Sequence, residues 1–199
     1  VTNPDGQTEL VVAIFGRVLG IDPATGKQLW SCATDITWYM VPSLVAHDGV
    51  VYCVGGRGGG GALAVRTGGR GDVTTTHRLW MTRKGSNVPS PVYHNGHLYW
   101  INESNAHAYC ADAATGTVVY EERVGRADTV YASALLADGK VYYLDRQGRT
   151  FVVAAKPEFD LLATNDLRDG STFNASPVAL DNRLYIRSDK ALYCIGSPR

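Results

Sequence analysis

Residues 56–61, Gly-Arg-Gly-Gly-Gly-Gly, have the G-x-G-x-x-G spacing with which a backbone can close around a pyrophosphate. That chemistry needs the loop to run from a strand into a helix, whose N-terminus meets the phosphates. Here the next residues, Ala62-Leu63-Ala64-Val65, read as a strand, so a hairpin loop is expected instead of a nucleotide site. His94 and His97 flank an Asn95-Gly96 pair. Two histidines fall short of the convergent ligand set that a metal requires, and both are expected on an exposed turn. Arg70-Gly71-Asp72 spells an adhesion tripeptide inside a glycine-rich loop, and Asn102-Glu103-Ser104 and Asn174-Ala175-Ser176 match the glycosylation acceptor pattern. No Gly-x-Ser-x-Gly nucleophile elbow is present. Cys32, Cys53, Cys110 and Cys194 form no Cys-x-x-Cys pair, and buried free thiols are the expectation.

The elements that carry these residues are strands. The chain has 199 residues with 45% hydrophobic and 19% charged, enough to bury a core. Its 19 Lys and Arg balance 19 Asp and Glu, which excludes the basic excess that phosphate-driven nucleic-acid binding needs. No window supplies the roughly 18 apolar residues of a transmembrane helix. The 22 glycines and 11 tyrosines favour strands and tight turns.

An internal repeat sets the architecture. Ser43 to Tyr52, Ser90 to Tyr99, Ser133 to Tyr142 and Ser176 to Tyr185 share a serine, apolar residues, a two-residue turn and an apolar strand ending in tyrosine, at spacings of 47, 43 and 43 residues. The turns Asp48-Gly49, Asn95-Gly96, Asp138-Gly139 and Asp181-Asn182 predict tight hairpins with positive φ. In the same phase, Asp22-Pro23-Ala24-Thr25-Gly26 leads to Trp30 and Asp112-Ala113-Ala114-Thr115-Gly116 leads to Tyr120. Trp80 and Leu162 hold that slot in the other repeats. Each unit therefore reads as four antiparallel strands, A to D. Such a sheet cannot bury both faces alone and stacks on its neighbours, so the fold class is all-β, a β-propeller of four-stranded antiparallel blades.

The Asp-Pro-Ala-Thr-Gly-Lys-Gln-Leu-Trp run ending at Trp30, with Ser90-Pro91 and Ser176-Pro177, resembles the pyrroloquinoline-quinone-like (PQQ-like) propeller repeat, and is similar to the outer-membrane protein assembly factor BamB family. The resemblance implies blades at 1–33, 41–82, 88–124 and 130–165, and a last blade at 174–196 lacking its outer strand. It further implies a seven- or eight-bladed ring of which this chain is the C-terminal half, closed by a missing N-terminal half or by self-association. It implies an extracytoplasmic, non-enzymatic scaffold or binding module with a protein partner or an acidic ligand. The alternative is a fragment of a PQQ-dependent oxidoreductase. Because the chain has no neighbouring cysteines, no cofactor is expected in it, and PQQ with calcium would need ligands from the missing half. Trp30 and Trp80 are read as packing residues.

Blade topology puts the D-to-A and B-to-C loops on one face. That face collects ten Lys and Arg against seven Asp and Glu, whereas the opposite face has six against ten. Aromatic residues beside arginine mark interface hot spots. The candidate binding residues are Trp38, Tyr39, Arg57, Arg83, Lys84, Arg126, Arg146, Arg149, Arg187 and Lys190.

Overall fold

The computed structural model describes residues 1–38, 40–57 and 60–196. All of its regular structure is β, in five sheets. The paired turns fold as the sequence predicts: Asp48, Asn95, Asp138 and Asp181 have φ between 45° and 50°, and each is followed by a second residue with positive φ. A two-residue turn of this hand matches the twist of the strands it joins.

Contacts divide the chain into two compact units, Val1–Asn87 with Asp112–Thr117, and Val88–Ala111 with Val118–Arg199. The first unit holds two sheets. One contains β1 (Leu10–Ile14), β2 (Arg17–Ile21), β3 (Gln28–Ala33) and β7 (Gly71–Asp72), the last parallel to β3; the other contains β4 (Val45–His47), β5 (Val50–Gly55), β6 (Gly61–Arg66) and β8 (Arg78–Thr82). Trp30, Cys32, Val51, Cys53, Leu63 and Val65 form the core shared by these sheets. Trp30 is fully buried, and its indole N–H donates to Glu9 Oε2 at 2.8 Å. A side chain at Gly20 would put its Cβ 2.1 Å from that indole, so glycine is what lets the ring lie flat on β2. Trp80 repeats the device: its N–H donates to the Ala113 carbonyl at 2.9 Å over Gly116. Both tryptophans are packing residues, as the sequence indicates.

The second unit holds three sheets. They are β9 (Val92–His94) to β10 (His97–Ile101), β11 (His107–Asp112) and β12 (Val118–Arg123); β13 (Leu135–Ala137) to β14 (Lys140–Leu144), β15 (Arg149–Ala154) and β16 (Leu161–Asp166); and β17 (Val178–Leu180) to β18 (Arg183–Arg187) and β19 (Leu192–Ile195). Tyr99, Cys110, Tyr120, Val141, Tyr143, Phe151 and Val153 lie in one core cluster between the first two, and Leu144, Phe173 and Ile186 in another between the last two. The repeated serine now has a physical role. Ser90 N–H donates to Ser133 Oγ at 3.2 Å, and Ser133 N–H to Ser176 Oγ at 3.0 Å, so serines 43 residues apart lace adjacent innermost strands together.

Candidate functional site

The loops joining one sheet to the next are clamped by the turns between second and third strands. In the 145–148 turn, Asp145 is fully buried. Its Oδ1 accepts the N–H groups of Gln147 and Arg149 at 3.0 and 2.9 Å. Its Oδ2 accepts Asp128 N–H at 3.0 Å and Arg149 Nε at 2.8 Å. Asn102 and Ser188 stand at the same place in the flanking sheets and cap their turns in the same manner. Backbone bonds then seat the loops between the turns: Val130 N–H on the Glu103 carbonyl, Arg146 N–H on Thr129, Phe173 N–H on Arg146 and Asp189 N–H on Thr172. Gly148, at φ 86°, lets the Phe173 ring lie against the turn backbone.

This scaffold presents Arg146. Its guanidinium carbon lies 4.7 Å from the centroid of the Tyr131 ring, and its Nε donates to Asn174 Oδ1 at 2.9 Å. Tyr131 is 40% exposed, so the stacked pair faces solvent. Asn174 is a neutral acceptor and leaves the arginine charge uncompensated. A polar pocket of about 230 Å³, lined by Asn174, Ala175, Arg187, Ser188 and Asp189, opens beside it. Arg126, Arg168 and Arg187 are exposed with no carboxylate partner among the described residues. An arginine over a tyrosine, with further free guanidinium groups nearby, can bind carboxylates and aromatic side chains.

Two of the residues singled out in the sequence are drawn into their own surroundings. Arg149 pairs with the buried Asp145, and Lys190 donates to the Asp169 carbonyl at 3.2 Å and approaches its carboxylate at 4.0 Å. Asp169 Oδ2 also accepts Ser188 Oγ and Tyr193 OH, each at 2.6 Å. The hydroxyl groups of Ser171, Ser188 and Tyr193 around it hold its carboxyl down at about 2. A group lowered in the folded state contributes stability that is complete above its unfolded pKa and is lost as pH falls through the folded value. An NMR titration of the Asp169 side chain should therefore give a midpoint near 2, and a midpoint near the ordinary 3.8 would contradict the network.

Trp38, Arg57, Arg83 and Lys84 are exposed in the first unit. Tyr39 lies outside the described residues. The sequence does not mark Tyr131, and it marks Asn174 only as part of a glycosylation pattern. They stand 43 residues apart, each two residues before a repeat serine, but the residue type differs between repeats, so the Ser/turn/Tyr pattern does not single them out.

The remaining sequence motifs resolve structurally. Gly58 and Gly59 lie outside the described residues, and Gly61 opens β6, a strand. Gly71 and Asp72 form β7 on β3, and Arg70 donates to Gly69 O and Gln7 Oε1, which ties the tripeptide to the first sheet. His97 Nδ1 and the Asn95 carbonyl lie 3.0 Å apart across their turn. Among the described residues no three His, Cys, Asp or Glu side chains are placed to hold a metal ion. The four cysteines are free, and burial pushes the Cys53 thiol up to about 12. Among the described residues no helix is long and apolar enough to cross a membrane.

Sheets of this connectivity, laced at a 43-residue period and packed face to face within each unit, define a β-propeller of the PQQ-like class. The family profile described as outer membrane protein assembly factor BamB matches residues 5–122, more than half of the sequence. The chain belongs to this family. It is similar in fold to BamB from Moraxella catarrhalis (TM-score 0.69, 16% identity, 98% of this chain and 59% of that one). It is also similar to the computationally designed Ika8 protein (TM-score 0.72, 16% identity, 95% and 56%) and to BBS1N, solved in complex with ARL6DN (TM-score 0.63, 14% identity, 94% and 60%). The chain thus spans about three fifths of the length of these structures. A search of curated protein sequences finds no match.

Proposed function

We propose that this chain is a non-enzymatic binding module whose second unit recognises an acidic segment of a partner protein through the loops around Arg146. The Arg146–Tyr131 stack carries this reading: an exposed aromatic and an uncompensated guanidinium, held in a preformed arrangement by the Asn174 acceptor and by the turn that buried Asp145 caps. Preorganisation lowers the cost of binding, and Tyr and Arg are the residues on which interface energy concentrates. Membership of a family described by outer-membrane assembly supports an extracytoplasmic, protein-binding role.

Panning a peptide display library against the chain tests the proposal. Peptides rich in Asp, Glu and aromatic residues should be enriched, and Arg146→Glu should weaken their binding by about tenfold or more, since a charge is both removed and reversed. Arg146 is only half-buried, so stability should change by less than about 1 kcal/mol. Arg149→Glu is a different experiment. It sets a second carboxylate against buried Asp145 and should destabilise the second unit. Enrichment that survives Arg146→Glu would refute the assignment.

A further inference from the structure

The two-residue turn between β9 and β10 has a histidine on either side. His94 closes β9 and His97 opens β10, and the register pairs them directly across the hairpin. Directly opposed residues of an antiparallel pair project to the same face, with Cβ atoms about 5 Å apart. The turn between them is fixed, with Asn95 at φ 46° and Gly96 at φ 80°. Both imidazoles are half-buried. The His97 ring lies 6.4 Å from the ring of Tyr99, a core residue on the same face of β10. The same positions carry His47 and Val50, Ala137 and Lys140, and Leu180 and Arg183 in three other sheets, so the histidine pair is particular to this hairpin.

Hydrogen bonds set which ring nitrogens can bind. His97 Nδ1 lies 3.0 Å from the Asn95 carbonyl oxygen. A carbonyl only accepts, so Nδ1 carries the proton and Nε2 the lone pair, the backing that metal-bound histidines commonly have. Asn95 Nδ2 lies 3.1 Å from His94 Nε2, where an amide N–H meets a ring lone pair. Asn95 is exposed, so its amide can turn out to water as an ion takes its place. Two nitrogens on one ion, each bound at about 2 Å, sit roughly 3 Å apart, which rings on Cβ atoms about 5 Å apart can reach.

We infer that His94 and His97 form a chelating site for a divalent late transition-metal ion, Cu(II) first among them, held by the two imidazoles with water on its remaining positions. A structural zinc site needs a ligand set closed by protein, and among the described residues no third His, Cys, Asp or Glu joins the pair. Cu(II) is different. It takes imidazole ligands in tetragonal geometry and stands highest in the affinity order of the divalent series, so it is the ion that two nitrogens hold best. The hairpin turn lies at the opposite end of the strands from the 145–148 turn, and the site does not rest on the Arg146 loops.

The test uses the whole chain with Cys194→Ser, because the exposed thiol would otherwise react with the ion. Calorimetric titration with Cu2+ at neutral pH should show one saturable high-affinity site. The electron paramagnetic resonance spectrum at one equivalent should carry superhyperfine splitting from two imidazole nitrogens. His94→Ala and His97→Lys copy the Ala137 and Lys140 pair of the next sheet, so each leaves a hairpin that this fold already builds. Each should lose about tenfold or more in Cu2+ affinity with an unchanged far-UV circular dichroism spectrum. Asn95→Asp copies Asp138, keeps the positive φ and removes the competing amide, and should bind at least as tightly. No saturable site, a spectrum without two nitrogens, or affinity unchanged in either histidine variant would each overturn the inference.

Discussion

Trp30→Ala should destabilise the first unit by about 3 to 5 kcal/mol, the range for deleting a large buried aromatic. The indole is fully buried in the core shared by two sheets, and glycine beneath it leaves nothing that can move in to fill the void. Its loss also strips the donor at 2.8 Å from Glu9, a carboxylate that is itself 1% exposed. Asn3 Nδ2, Gly68 N–H and the more distant Arg70 remain around that carboxylate, so part of its solvation is retained. Trp30→Phe separates the two effects: it keeps most of the packing and removes only the N–H, and should cost about 1 to 3 kcal/mol. Urea denaturation followed by far-UV circular dichroism measures both. Trp38→Ala, at a residue 42% exposed, should cost much less than either, and equal effects at Trp30 and Trp38 would contradict the packing described.

Asp145→Ala should cost the second unit a similar amount, about 3 to 5 kcal/mol, because it removes one partner of a buried ion pair. Arg149 would keep its charge at a half-buried place without its carboxylate, and the N–H groups of Asp128, Gln147 and Arg149 would lose their acceptor together. Asp145→Asn retains an acceptor oxygen and should fall between the wild type and alanine. The distinguishing readout is local. Amide hydrogen exchange at Asp128, Gln147 and Arg149 should accelerate more in Asp145→Ala than exchange in β10 or β11. Uniform acceleration across the unit would mean that Asp145 adds global stability without organising the turn. Because Arg146 follows directly and its N–H closes on Thr129, the alanine variant should also lose peptide binding.

Most features that recur in the sequence are borne out by the structure; the exception is the slot assigned to Leu162, where Ala163 is the residue paired at the place of Trp30, Trp80 and Tyr120. Serines 43 residues apart predict equivalent positions, and the fold uses them as an interstrand lacing; Asp-Gly and Asn-Gly pairs predict positive φ, and their backbones have it. The Ala-Thr-Gly turns are readable for the same reason, with Asp22 and Asp112 accepting bonds from Thr25 and Thr115. What belongs to one repeat alone is hidden. Tyr131 and Asn174 meet Arg146 from loops on either side of its turn, across 15 and 28 residues of sequence, and although they hold equivalent repeat positions their residue types do not recur. Charge counting also treats every acid as solvated. Asp145 and Glu9 count as surface charges in the sequence, yet both are buried, each committed to one partner set. Arg149 and Lys190 lose their freedom in the same way, which moves the exposed positive charge of the second unit onto Arg126, Arg146, Arg168 and Arg187.

Hydrogen exchange on the chain with and without a display-selected acidic peptide tests the binding role most directly. The account predicts slowed exchange in the loops and turns at 126–131, 146–148 and 172–175, abolished by Arg146→Glu. Protection confined to the opposite hairpin turns at 95–96, 138–139 and 181–182, or unchanged by Arg146→Glu, would contradict it.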